Sequence, residues 1–144
     1  MIYMLDTNIL IYLMKNKPLV VAERVGQLLP QDQMVMSFVT YAELLKGAYG
    51  SENPTKALET VERISQRVPV VYPTGKIAEH YGKWANILKQ KGSPIGNNDL
   101  WIACHALAIN AVLVTHNVKE FKRVKELNLQ DWVSTQQKKD IHNI

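Results

Sequence analysis

Short apolar segments of strand length alternate with longer segments of helical periodicity along this chain of 144 residues. The helical segments are long enough to carry the chain back across a sheet, so consecutive strands are expected to run parallel. The alternation therefore predicts an α/β sandwich, in which helices cover both faces of a parallel sheet. The predicted strands are residues 2–5, 34–36, 68–72 and 111–115, and the predicted helices begin just after residue 8, after Pro18, and at Thr40, Pro54, Lys76 and Asp99.

Length and composition favour a single domain. With 144 residues, of which 47% are hydrophobic and 21% charged, the chain is typical of one folded domain, and disordered or fibrous classes are excluded. We assign residues 1–133 to this domain and residues 134–144 to a polar C-terminal tail. The single cysteine, Cys104, excludes an internal disulfide and favours the cytoplasm. No apolar run approaches the roughly 20 residues that a membrane-spanning helix needs, so no membrane association is expected.

Three acidic residues lie in apolar surroundings, unlike most of the others. Asp6 occurs in YMLDTNIL, Glu43 in VTYAELLKG and Asp99 in GNNDLWIACHAL. Asp6 ends the first predicted strand, and open α/β sheets form their ligand crevices at the carboxyl ends of strands. Glu43 lies one turn into the helix after the second strand, and Asp99 opens the helix before the fourth. The three carboxylates are therefore expected to converge at one edge of the sheet.

A cluster of carboxylates persists only if it is protonated, paired with cations or bridged by a metal ion. Oxygen ligands of this kind suit Mg²⁺ or Mn²⁺, completed by water and substrate phosphate, which indicates phosphodiester chemistry. Nearby polar residues are expected to hydrogen-bond the ligands; these are Asn8, Asn98, Thr115 and Asn117.

The same carboxylates have a purely structural interpretation. Asp6 or Asp99 could cap a helix, and the segment from Thr40 to Glu43 matches the S/T-x-x-E capping box. Capping does not explain why all three carboxylates fall at one edge of the predicted sheet. Their joint placement favours a metal site.

Other reactive or basic residues give weaker signals. The histidines lack paired zinc spacing, and Cys104 and the three tryptophans are interpreted as packing residues. The formal net charge of +4 is a mild bias toward polyanions. Four lysines flank the loops around the proposed crevice and could bind phosphates; they are Lys15, Lys17, Lys89 and Lys91.

Five sequence blocks resemble PIN-domain proteins of the VapC type, and the resemblance spans nearly the whole chain. They are MLDTNILIY, SFVTYAELLKGAYG, IGNNDLWIACHAL, LVTHNVKEFKRV and LNLQDWV. The resemblance implies a PIN-like three-layer α/β/α sandwich with a central, mostly parallel sheet. It further implies the toxin of a type II toxin–antitoxin pair, a Mg²⁺- or Mn²⁺-dependent endoribonuclease often directed at structured RNA such as tRNA. A partner antitoxin and a homodimer follow from the same resemblance.

The acidic quartet of this family falls on Asp6, Glu43, Asp99 and a fourth position, where this chain has Asn117 and many members have Asp. The resemblance implies that Asp6 and Asp99 ligate the ion, that Glu43 binds it directly or through water and orients the nucleophile, and that Asn117 positions a water. Because the fourth carboxylate is missing, one or two metal ions remain open. The polar residues that the family places around the ligands match Thr7, Asn8 and Thr115.

Two other functions compete with the nuclease. A catalytically silent RNA-binding or regulatory module on the same fold would not need all three carboxylates. A phosphoryl-transfer protein could use Asp6 as the acceptor, but that chemistry usually needs a second carboxylate two residues later, where this chain has Asn8. The intact carboxylates favour the nuclease.

Overall fold

Strands and helices alternate around a parallel five-stranded sheet in the computed structural model, which describes residues 1–134. Of the predicted tail, residues 135–144 lie outside this part. The strands are β1 (Ile2–Leu5), β2 (Gln33–Ser37), β3 (Val70–Val71), β4 (Val112–Val114) and β5 (Leu129–Gln130). The helices are α1 (Thr7–Lys15), α2 (Leu19–Gly26), α3 (Phe38–Tyr49), α4 (Pro54–Arg67), α5 (Gly75–Gln90), α6 (Asn97–Ala108) and α7 (Val118–Phe121).

The strand order β3-β2-β1-β4-β5 puts the first strand at the centre of the sheet. All four strand pairings are parallel, so the mostly parallel sheet that we predicted is confirmed. Met4 faces Val35 of β2 and Leu113 of β4 in register. From β1 the strand order runs through β2 to β3 on one side, and β4 and β5 lie on the other side. Open α/β sheets form ligand crevices where the strand order reverses in this way, at the carboxyl ends of the strands.

Alternate residues of the strands pack into two separate cores. Met4 and Leu113 belong to the core that contains α5, α6 and α7. Leu5 and Val114 belong to the core that contains α1, α2 and α4. Because successive strand side chains point to opposite faces, each core lies on its own face of the sheet. This arrangement confirms the three-layer α/β/α sandwich.

The start of α3 differs from the prediction. The helix begins at Phe38, and the Ser37 hydroxyl caps it by accepting a 3.2 Å hydrogen bond from the Val39 amide. The Ser37 hydroxyl also lies 2.8 Å from Nδ1 of His105 on α6, so this corner is joined to the other helix layer. Thr40 is fully buried inside the helix, and the predicted capping box from Thr40 to Glu43 is wrong.

Two short elements were not predicted from sequence. They are α7, which follows β4, and β5, which adds the last strand of the sheet. No helix within residues 1–134 is both long enough and apolar enough to span a membrane.

Candidate active site

Asp6 lies directly after β1 and begins α1. Its carboxylate accepts a 3.1 Å hydrogen bond from the Ile9 amide, so the capping interpretation holds for this residue. Only 7% of the residue is exposed, and burial raises the pKa of its carboxyl group. The charge of Glu43 raises the pKa further, whereas hydrogen bonds from the Thr115 side chain and the Ile9 amide oppose the shift. Asp6 therefore both caps α1 and contributes a carboxylate to the candidate site.

Glu43 is joined to the start of α1 by a side-chain hydrogen bond. The Thr7 hydroxyl donates to Oε1 of Glu43 at 2.6 Å and lies 3.4 Å from the Thr40 hydroxyl. Glu43 is therefore held against the residue that follows Asp6. One oxygen of the carboxylate is occupied by this contact, and Oε2 is left for other partners.

Asp99 lies in the first turn of α6, and Gly96, not Asp99, occupies the N-cap position. Burial and the negative charges of Glu120, Glu43 and Asp6, in that order, raise the pKa of its carboxyl group to about 6. The structure therefore brings the three predicted carboxylates within electrostatic reach of one another. It also adds a fourth, Glu120, which the sequence interpretation missed.

Glu120 lies on α7 and contacts the residue at the expected fourth acidic position. Asn117 donates its side-chain amide to Oε2 of Glu120 at 2.6 Å, and the Gly96 amide donates to Oε1 at 3.2 Å. The Asn117 backbone amide donates in turn to the Thr115 hydroxyl at 3.0 Å. The only available sequence signal was a glutamate three residues after the amide that replaces the expected carboxylate.

The donor set fits a hard divalent cation by its chemistry. All four side chains offer carboxylate oxygens, and the ion pairs within residues 1–134 involve other groups. The mutual repulsion that raises the pKa of Asp99 is thus left for a cation to relieve. In the described part of the chain, no three His, Cys, Asp or Glu side chains are already close enough to form a metal centre.

Two cavities open beside Glu43. The first, about 570 Å³, is lined by Glu43, Lys46, Asn98 and Trp101 together with apolar residues of α3 and α5. The second, about 520 Å³, lies between α1, α3 and α4 and has Lys15 and Glu43 in its lining. Asn98 and Lys15 are therefore near the site.

The remaining residues that we predicted near the carboxylates differ in how they relate to the site. The backbone amide of Asn8 lowers the pKa of Asp6. Lys91 lies beside Lys125, whose charge lowers the pKa of Lys91. Within residues 1–134, Lys17 and Lys89 have no ion pair with the site carboxylates.

Residues predicted to serve packing do so. Cys104 is fully buried, and burial raises the pKa of its thiol to about 12, which makes it unreactive. Trp84 and Trp132 are buried, and Trp101 stacks on Tyr81 with ring centroids 3.8 Å apart.

Comparison with known proteins agrees with this architecture. The PIN domain family matches residues 3–127, and the chain belongs to this family. Ribonuclease VapC1 of Haemophilus influenzae (strain R2866) is 66% identical over 92% of this chain and 98% of its own length. The tRNA(fMet)-specific endonuclease VapC of Shigella flexneri is 40% identical over 90% of this chain and 97% of its own length. Within the PIN family, the chain is therefore one of the VapC ribonucleases of toxin–antitoxin systems.

Solved structures agree with this assignment. The structure of VapBC-1 from nontypeable Haemophilus influenzae has a chain with 65% identity and a TM-score of 0.89, and it covers 93% of this chain and 100% of that chain. VapBC2 from Rickettsia felis, bound to a DNA fragment from its promoter, has a chain with 38% identity and a TM-score of 0.86, covering 92% of this chain and 99% of that chain.

Proposed function

We propose that the protein is a Mg²⁺- or Mn²⁺-dependent endoribonuclease toxin that hydrolyses phosphodiester bonds in RNA. The observation that carries the proposal is that Glu120, Glu43 and Asp6 all lie close enough to Asp99 to raise the pKa of its carboxyl group. Glu43 also raises the pKa of Asp6. Four buried or half-buried carboxylates are costly for a fold to keep unless they bind a cation.

In this proposal Asp6 and Asp99 hold the ion directly, and Glu43 holds it directly or through water. When bound, the ion supplies positive charge at the scissile phosphate and lowers the pKa of water. Because the Thr7 hydroxyl holds Oε1 of Glu43, Oε2 is positioned to accept a proton from the attacking water. No covalent intermediate on a side chain is required.

Asn117 acts through Glu120 in this scheme. Its amide fixes Oε2 of Glu120, and the Gly96 amide fixes Oε1, so the carboxylate has a defined orientation close to Asp99. Glu120 therefore supplies the negative charge that the amide at position 117 lacks. Thr115 orients Asp6 through the hydrogen bond to its carboxylate.

The proposed substrate is RNA, with tRNA as the class to test first. Relatives with 66% and 40% identity are named a ribonuclease and a tRNA(fMet)-specific endonuclease. Lysines near the crevice would bind the phosphate backbone and add salt-dependent affinity; they are Lys15, Lys17, Lys89 and Lys91.

The proposed protein partners are a cognate antitoxin and a second copy of this chain. An antitoxin is supported by the VapBC structures, whose chains have up to 65% identity. The homodimer is proposed from the resemblance to VapC-type PIN-domain proteins.

The test is cleavage of a total small-RNA pool by antitoxin-free protein in Mg²⁺ or Mn²⁺, with EDTA as the metal-free arm. Asp99→Asn is expected to lower cleavage by at least about 100-fold, since groups that only orient metal ligands are worth 10- to 100-fold. Glu126→Gln is the matched control, because Glu126 is exposed and pairs with the exposed Lys83. Cleavage that survives both EDTA and Asp99→Asn would refute the proposal.

A further inference from the structure

We propose that His116, held in place by Asp131, contacts the 2′-hydroxyl of an RNA nucleotide near the scissile bond and helps the site to prefer RNA over DNA. The inference rests on the proposed nuclease function, because it adds a specificity contact to the same site. It assigns a role to a histidine that the sequence interpretation left without one.

His116 lies between two residues that contact the site carboxylates. Thr115, before it, hydrogen-bonds the side chain of Asp6. Asn117, after it, donates to Glu120 at 2.6 Å. The segment that carries His116 therefore joins the two sides of the candidate site at the carboxyl end of β4.

Asp131 fixes the orientation of the His116 ring. Nδ1 of His116 lies 3.0 Å from Oδ2 of Asp131, while Oδ1 of Asp131 accepts backbone hydrogen bonds from Val133 at 2.9 Å and Ser134 at 3.2 Å. Asp131 is buried, whereas 50% of the His116 side chain is exposed. A buried and well-anchored group thus orients a ring that remains accessible to substrate.

The chemistry of this pair favours a hydroxyl partner over a phosphate. A carboxylate accepts hydrogen bonds, so the tautomer with its proton on Nδ1 suits the contact with Asp131, and in that tautomer Nε2 is an acceptor. A phosphate oxygen cannot donate to Nε2, but a 2′-hydroxyl can, and this group distinguishes RNA from DNA.

The spacing of the strands places His116 within reach of a neighbouring nucleotide. Asp6 follows β1, and Asp131 follows β5, on the far side of β4. Adjacent strands are about 4.8 Å apart, so the two residues are separated by roughly 10 Å along the sheet edge. Stacked nucleotides rise about 3.4 Å each, so an RNA strand that follows this edge from the carboxylates would reach His116 within a few nucleotides.

The test measures binding of fluorescein-labelled 12-mers of uridine and of deoxyuridine at pH 8 in Mg²⁺. The parent protein carries Asp99→Asn, so that the RNA stays intact. Adding His116→Ala is expected to weaken RNA binding about three- to tenfold, the value of one hydrogen bond, and DNA binding less than about twofold. His116→Gln, which keeps a polar end, is expected to restore part of the preference for RNA.

His80→Ala is the matched control, because His80 lies on α5 outside the carboxylate cluster, and it is expected to leave both affinities unchanged. Equal losses for RNA and DNA, no preference in the parent, or no binding of either probe would overturn the inference. If His116→Ala does not fold, the comparison is made between His116→Gln and His116→Asn, and equal preference for RNA in the parent and in both would overturn it. If His116→Ala abolishes the preference for RNA but the unmutated protein shows no metal-dependent cleavage, the proposed nuclease function is refuted and this inference stands.

Discussion

The two halves of the candidate site keep their carboxylates by different means. In the Asp6–Glu43 half, each carboxylate accepts a hydrogen bond from the fold itself, from the Ile9 amide for Asp6 and from the Thr7 hydroxyl for Glu43. In the Asp99–Glu120 half, Glu120 accepts two such bonds, while Asp99 lies among negative charges that raise its pKa to about 6. The first half is built into a helix start, whereas in the second half Asp99 is repelled by the neighbouring carboxylates.

The largest expected effect on stability is the difference between replacing Asp6 with Asn and replacing it with Ala. The same two replacements at Asp99 serve as the comparison. Asn and Ala both remove the charge, but only Asn keeps the cap on α1. Asp6→Asn should exceed Asp6→Ala in unfolding free energy by about 1–2 kcal/mol, measured by urea denaturation in EDTA. At Asp99, which caps nothing, the two variants should differ by less than about 0.5 kcal/mol. Similar differences at both positions would remove the distinction between the halves.

Asp99→Asn should stabilise the metal-free protein in a pH-dependent way. The folded pKa, about 6, lies above the usual 3.8, so the ionised carboxylate destabilises the fold at high pH and has no effect below both values. The advantage of the variant should therefore appear between about pH 4 and 6 and stay constant above. With solvent screening of this half-buried group, we expect roughly 1 kcal/mol, or about 2–4 °C in Tm.

Thermal unfolding in EDTA at pH 4 and pH 8 measures this effect. Glu126→Gln, at an exposed ion pair, is the control and should change Tm little at either pH. A variant Asp99→Asn that is less stable than the parent at pH 8 would show that the carboxylate is a structural partner rather than a repelled charge.

The smallest expected effect tests Glu120 as the largest charge acting on Asp99. Glu120→Gln should lower the pKa of Asp99 from about 6, because Glu120 is the leading charged contributor to the shift after burial. The change in unfolding free energy should be only a few tenths of a kcal/mol, since one accepted hydrogen bond is lost while repulsion falls. Carboxyl-carbon NMR titration measures the pKa, and an unchanged value would separate Glu120 from the site.

The position of the first half could be predicted from sequence because its signals are local. Asp6 interrupts an apolar run where the first strand ends, and Glu43 lies in the helix that follows the second strand. The same local rules failed at the start of α3, where Ser37 and Thr40 are both acceptable caps. Both side chains are fully buried, so burial does not decide between them. Ser37 is the cap because it ends β2 and its hydroxyl accepts a hydrogen bond from the Val39 amide.

Glu120 could not be predicted because its position depends on contacts across the fold. It occurs in the polar segment VKEFKRV, which resembles an ordinary solvated helix face. Only the short helix α7 and the amides of Asn117 and Gly96 bring it to Asp99. When position 117 is compared with the family pattern by itself, Asn117 looks like a missing negative charge. In the structure, Glu120 provides a carboxylate three residues later.

The central position of β1 also determines when the site can form during synthesis. β1 leaves the ribosome first, but it can pair with β4 only after residue 112 has been made. Asp6 and Glu43 are translated early, but Asp99, Thr115 and Glu120 come from the last third of the chain. A nascent or prematurely terminated chain therefore lacks the complete cluster. The assembled site can form only when translation is nearly finished.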